Sequence, residues 1–122
     1  MTSPIVALVV EDEALIRMMV EDVLLAEKIE FVSVDTGDAA IKKLQENPGQ
    51  FHVIISDIRM PGSIDGWGVG RAARKLSPNA AVIYITGDSA TQWVANGVPN
   101  SILLEKPFSD GQLIEAIRSF AR

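Results

Sequence analysis

Four runs of apolar residues along this chain each end on polar chemistry. Residues 5–10 are apolar at every position and stop on Glu11-Asp12. Val53-Ile54-Ile55 continues through Ser56 and stops on Asp57. Residues 80–85 stop on Thr86-Gly87-Asp88, and residues 102–104 stop on Glu105-Lys106-Pro107. Runs of this kind read as strands buried on both faces, which belong to parallel sheets covered by helices. A shorter run, Phe31-Val32-Ser33-Val34, supplies a further strand.

Helical periodicity fills the intervals. Over residues 14–27, Ile16, Val20, Val23 and Leu24 form a stripe, which Leu15, Met18, Met19 and Leu25 make wider than a covering helix needs. Glu11-Asp12-Glu13 places acids at that helix's start, where the macrodipole favours them. Residues 38–46 turn Ala39, Ala40, Ile41 and Leu44 inward, and Asn47-Pro48-Gly49 ends the segment. A loop from Arg59 to Gly66, broken by Pro61 and Gly62, leads into a helix over 67–76. A weaker helix is expected over 90–95. Ser109 or Asp110 caps a last one carrying Leu113, Ile114, Ile117 and Phe120.

Strand and helix thus alternate five times. The expected fold is α/β, a doubly wound five-stranded parallel sheet with right-handed crossovers and helices on both faces. Ligands in such sheets bind beyond the C-terminal strand ends, where the strand order reverses. Glu11, Asp12, Asp57, Thr86 and Lys106 fall there.

The 122 residues fit one domain, so residues 1–122 are expected to be a single domain without a second, output module. A net charge of −5 argues against direct nucleic-acid binding, which needs clustered Lys and Arg. Cysteine is absent, which removes disulfides, thiolate nucleophiles and Cys-ligated metals; the single His52 removes a multi-histidine site. Apolar stretches reach only about six residues, against the ~20 that span a bilayer, and the N-terminus lacks a basic secretory start. Cytoplasmic residence without membrane insertion is expected.

Gathered carboxylates repel. At about 4 Å and an effective dielectric near 20, each close pair costs roughly 4 kcal/mol. Lys106 offsets part of that, and a divalent cation offsets it better. Oxygen-only ligands favour Mg²⁺ over zinc. A carboxylate beside Mg²⁺ and a lysine is an acceptor for a phosphoryl group, because the transfer needs mainly positioning and charge neutralisation. Mg²⁺, Lys106 and the Thr86 hydroxyl would each take one phosphoryl oxygen. Taken singly, Asp12 reads as a helix cap, Thr86 as a strand end and Lys106 as a surface ion pair; taken jointly, they read as a site.

The blocks Val9-Val10-Glu11-Asp12-Glu13, Ser56-Asp57-Ile58-Arg59-Met60-Pro61, Asp65-Gly66, Thr86-Gly87 and Lys106-Pro107-Phe108 resemble those of the receiver domains of bacterial response regulators, in order and along essentially the whole chain. The resemblance implies a flavodoxin-like strand order, 2-1-3-4-5, and a stand-alone receiver. It implies Asp57 as phosphoacceptor and Asp12 as a direct Mg²⁺ ligand. Glu11 would act through water, and the backbone carbonyl of Arg59 would be a further ligand. Thr86 becomes the switch hydroxyl and Lys106 the phosphate-binding lysine, with a cis Lys106-Pro107 bond. The implied partners are a sensor histidine kinase or histidine phosphotransfer protein and a downstream protein target.

Two features depart from the common pattern. Leu103 stands where many receivers have a rotating Tyr or Phe, and Tyr84 is a candidate substitute. Tyr84-Ile85-Thr86-Gly87 is similar to the Phe-Ala-Thr-Gly segment of a subgroup of stand-alone receivers. The loop 61–66 is about one residue longer than the commonest form.

Other residues invite other readings. Gly66-Trp67-Gly68-Val69-Gly70 follows the third strand and does not complete a dinucleotide fingerprint. His52 reads as a solvated edge residue. Trp93 is core or an exposed contact in equal measure. Leu15 and Met18 are either broader core or a docking face for the phosphodonor. Rival functions are a receiver-like binding module that is never phosphorylated, a Mg²⁺-dependent phosphatase with an Asp nucleophile, and a flavin carrier. The phosphatase usually needs a second acid where Arg59 stands, and an acidic cleft suits a flavin phosphate poorly.

Overall fold

The computed structural model describes residues 5–121. Five strands, β1 (Val6–Val10), β2 (Glu30–Val34), β3 (Val53–Asp57), β4 (Ala81–Thr86) and β5 (Ile102–Glu105), pair in parallel in the order β2-β1-β3-β4-β5. Helices α1 (Ala14–Ala26), α2 (Gly37–Glu46), α3 (Gly66–Leu76), α4 (Trp93–Asn96) and α5 (Asp110–Ala121) connect or follow them. This is the doubly wound sheet expected from the alternation, in the flavodoxin-like order that the resemblance implies. Its strand order reverses between β1 and β3.

Strand side chains alternate between faces, and each face has its own core. Ala7, Val9, Ile55, Ile83 and Ile85 pack with Val20 and Leu24 of α1 and Leu113 and Ile117 of α5. Leu8, Val10, Ile54, Val82 and Tyr84 pack with Ala40 and Leu44 of α2 and Val69 and Ala73 of α3. β3 and β4 are buried at every position, as their unbroken apolar runs require.

Helix starts follow side-chain caps. Thr36 Oγ1 accepts from the Ala39 N–H at 3.1 Å, and Asp65 Oδ1 accepts from the Gly68 N–H at 2.9 Å. Both helices therefore begin one residue earlier than periodicity suggests, at Gly37 and Gly66. Before α5, Ser109 Oγ accepts from the Gln112 N–H at 3.1 Å, while Gln112 Oε1 accepts from the Ser109 N–H at 2.8 Å. That reciprocal pair is a capping box and makes Ser109 the cap.

Two expectations are corrected. The first turn of α1 contains no acid; Glu13 is its N-cap residue and makes no side-chain cap bond. The segment after β4 is not a helix over 90–95. It is a 3-10 turn, Ala90–Gln92, followed by the single turn of α4. No residue of either piece is fully buried; Trp93 alone packs against the core and Val94 is 94% exposed, so little packed face supports further turns.

Candidate functional site

β3 ends on Asp57 between β1 and β4. Val10 lies opposite Ser56 and Ile85 opposite Asp57, so the residues that leave β1 and β4 flank the carboxylate. Thr86 is paired with Glu105, and the next residue's amide, Lys106 N–H, donates to the Thr86 carbonyl at 2.7 Å. The parallel register thus delivers residues from four distant stretches to one rim. Gly66 closes it from behind: its N–H donates to Ile58 O at 2.8 Å, and a Cβ there would lie 2.1 Å from the Asp57 carbonyl. Only glycine lets α3 start against the backbone of Asp57.

Lys106 Nζ meets three carboxylates, Glu13 at 3.0 Å, Glu11 at 3.3 Å and Asp57 at 3.4 Å. Glu11, Asp12 and Asp57 each offer an oxygen within 4.8 Å of the others'. Glu11 and Asp57 are buried, whereas Asp12 is exposed. Burial raises the Glu11 carboxyl to about 7, and the Asp57 charge adds to this against the Glu13 N–H and Lys106. Burial likewise raises Asp57, opposed chiefly by Lys106. For Lys106, burial pulls downward, yet its bond to Glu13 and the charges of Asp57 and Glu11 outweigh it and raise the ammonium.

Thr86 is buried, and its Oγ1 accepts from the N–H groups of Asp88 at 3.2 Å and Ser89 at 2.8 Å. Its oxygen is fixed as an acceptor, so its own proton is available for an anion in the cleft. Arg59 Nε pairs with Asp88 at 3.1 Å, and Ser89 Oγ donates to the same carboxylate at 2.9 Å. Glu13, Asp57, Arg59, Thr86, Gly87, Asp88 and Lys106 line a cleft of about 330 Å³.

The donor set fits a hard divalent cation. It is all oxygen, it converges, and Glu11 Oε1 is buried without a hydrogen bond, since Lys106 approaches it without the alignment of one. An orphaned buried carboxylate oxygen is costly unless a cation or proton satisfies it.

Residues 7–118 match the response regulator receiver domain family. The chain belongs to that family. The crystal structure of a response regulator receiver protein from Sinorhizobium medicae superposes with a TM-score of 0.92 at 36% identity, covering 97% of this chain and 94% of that one. The response regulator protein FleR of Pseudomonas aeruginosa is 31% identical over 118 residues, 93% of this chain. This chain spans only 24% of FleR's length. The receiver domain of the sensor histidine kinase PA1611 from the same species shares the fold at 21% identity and a TM-score of 0.81, covering 98% of this chain and 100% of that one. Magnesium is coordinated in that domain's active-site cleft.

Against this receiver frame, the residues singled out by sequence sort clearly. Glu11, Asp12, Asp57, Thr86 and Lys106 converge, and Lys106-Pro107 is cis. The Arg59 side chain turns to Asp88 across the cleft. Tyr84 is fully buried beside its register partner Leu103, its ring 4.8 Å from that of Trp67, and its hydroxyl accepts from the Val98 N–H at 3.1 Å. Tyr84 is thus anchored in the core in this structure. Trp93 is half-buried and donates through Nε1 to Ser101 at 2.9 Å. His52 is exposed but not idle, since its Nδ1 accepts from the Val6 N–H at 3.0 Å. Leu15 and Met18 are exposed, which removes the core reading for both, while Met19 packs on the core. In the longer loop, Ser63 donates to Asp38 at 3.0 Å, and the Ile64 carbonyl lies where a Gly37 Cβ would stand. The extra length is thus taken up against the start of α2. Sequence reasoning missed Glu13 and Ser89, because an exposed acid before a helix and a serine in a turn carry no pattern of their own.

Proposed function

We propose that this receiver is a phosphorylation-controlled signalling switch with Asp57 as its acceptor. The observation that carries this reading is the meeting of buried Asp57 with Glu11 and Asp12 within 4.8 Å and with Lys106 at 3.4 Å. Asp12, Asp57 and the Arg59 carbonyl would hold Mg²⁺, with Glu11 acting through water. Bound there, the ion supplies the neutralisation that lets an anionic phosphoryl group approach an anionic cleft.

The chain's own residues do the rest. The Asp57 carboxylate oxygen attacks phosphorus and forms a P–O bond. The donor's P–N bond breaks, and the departing imidazole takes a proton from solvent. Lys106 and the Thr86 hydroxyl each donate to a phosphoryl oxygen. Thr86 then draws on its bonds to Asp88 and Ser89, so the 3-10 turn and α4 are the first elements to feel the change. The donor is a sensor histidine kinase or a histidine phosphotransfer protein, the output a downstream protein target, and the domain a cytoplasmic switch rather than an enzyme. Arg59, paired with Asp88, leaves no acid two residues beyond Asp57, which disfavours a phosphatase of the Asp-nucleophile type. Among the described residues, no helix is long and apolar enough to cross a membrane.

The test is reductive trapping. After treatment with acetyl phosphate and Mg²⁺, borohydride converts an aspartyl phosphate to homoserine, and peptide mass spectrometry locates it. Homoserine at position 57 is expected. Trapping elsewhere, or nowhere, contradicts the reading.

A further inference from the structure

Lys106 has three ammonium protons and three carboxylate neighbours. Of the three, Glu13 alone accepts an aligned hydrogen bond from the ammonium, so a phosphoryl oxygen arriving at Asp57 competes with that carboxylate for the lysine. The three differ in how readily they yield. Glu11 is held in the core, and its other oxygen accepts from the Glu13 N–H at 3.0 Å. Asp57 is the residue that carries the phosphoryl group. Glu13 is 60% exposed, stands outside the cluster of Glu11, Asp12 and Asp57, and gives α1 no cap bond. Yet Glu13 makes the shortest of the three contacts, 3.0 Å, and lines the cleft.

We propose that Glu13 is a positioning residue. Its carboxylate occupies one donor of Lys106 in the unphosphorylated protein, stands in for a phosphoryl oxygen, and is exchanged for that oxygen when Asp57 is modified. This rests on Asp57 being the phosphoacceptor. Glu13 then sets how tightly the cleft holds a phosphoryl group, because every binding event includes the loss of its ion pair. A carboxylate this exposed is worth little as an ion pair, so the expected effect is modest, about two- to five-fold.

The alternative is that Glu13 acts only through its charge, repelling any anion at the rim. Two variants separate contact from charge. Glu13→Gln removes the charge. Glu13→Asp keeps it but is one methylene shorter, and at an N-cap position its oxygen turns to the amides of α1. Affinity for beryllofluoride in excess Mg²⁺, measured by titration calorimetry, reads the exchange directly. The inference expects both variants to bind about two- to five-fold more tightly than wild type. Tightening by Glu13→Gln alone assigns the effect to charge and overturns it, as does no change or weakening in either variant. Trapping at Asp57 keeps the two questions apart. A wild type never phosphorylated there loses both readings, whereas a phosphorylated wild type with unmoved variants loses only this one.

Discussion

Replacing Glu11 with glutamine is expected to stabilise the metal-free protein. Burial holds this carboxyl at about 7 instead of the ordinary 4.5. Between those values the folded chain keeps a proton that the unfolded chain has released. Stability therefore falls as pH rises from about 4.5 to about 7 and is flat beyond. At about 1.4 kcal/mol per pH unit, the full penalty above pH 7 is about 3 kcal/mol. Glutamine is neutral, of the same shape, and still accepts from the Glu13 N–H. Lys106 keeps Glu13 and Asp57 as partners, so no lone cation is left behind. Urea unfolding in EDTA at pH 8 is expected to show Glu11→Gln more stable by about 1–3 kcal/mol, and the gain is expected to shrink below about 1 kcal/mol near pH 5 and to vanish below about pH 4.5, where the carboxyl is protonated in both folded and unfolded chains. Mg²⁺ at pH 8 is expected to narrow the gap by binding the wild type. A variant less stable at pH 8, or a gain independent of pH, refutes the reasoning.

Three further outcomes follow from packing. Tyr84→Phe strips the buried Val98 N–H of its acceptor and is expected to cost about 1–3 kcal/mol in urea unfolding. Gly70→Ala drives a Cβ to 2.1 Å from the Tyr84 hydroxyl and is expected to cost about 1–3 kcal/mol, with the Tyr84→Phe double variant losing less than the sum of the two. Gly87→Ala, whose Cβ meets nothing within 4 Å, is expected to stay within about 0.5 kcal/mol of wild type and serves as the control.

The sheet was legible because its three central strands, β1, β3 and β4, are buried on both faces. Runs such as Val53-Ile54-Ile55 admit few other readings, and the alternation with helices leaves little choice of architecture. The site was legible for the same reason, since parallel strands must gather their C-terminal ends, and those ends carry Glu11, Asp57, Thr86 and Lys106. What lay outside the sequence depends on side-chain direction. The width of the apolar stripe on α1 gave no sign that Met19 packs inward while Leu15 and Met18 face solvent. Tyr84 could face a core or a rim, and strand parity against Asp57 decides for the α3 side only once the register is known. The collapse of the fourth helix to one turn reflects a burying face reduced to Trp93, which a six-residue segment cannot announce. Glu13 acquires meaning only from the reach of a lysine 93 positions away.

The central claim is that convergence of these acids and one lysine makes a metal-dependent phosphoryl acceptor. Intact-protein mass after acetyl phosphate, compared in Mg²⁺ and in EDTA for wild type and Asp57→Asn, tests it most directly. One phosphoryl group is expected on the wild type in Mg²⁺, with little in EDTA and none on Asp57→Asn. A wild type that gains no mass in Mg²⁺, or an Asp57→Asn variant that gains as much, contradicts it.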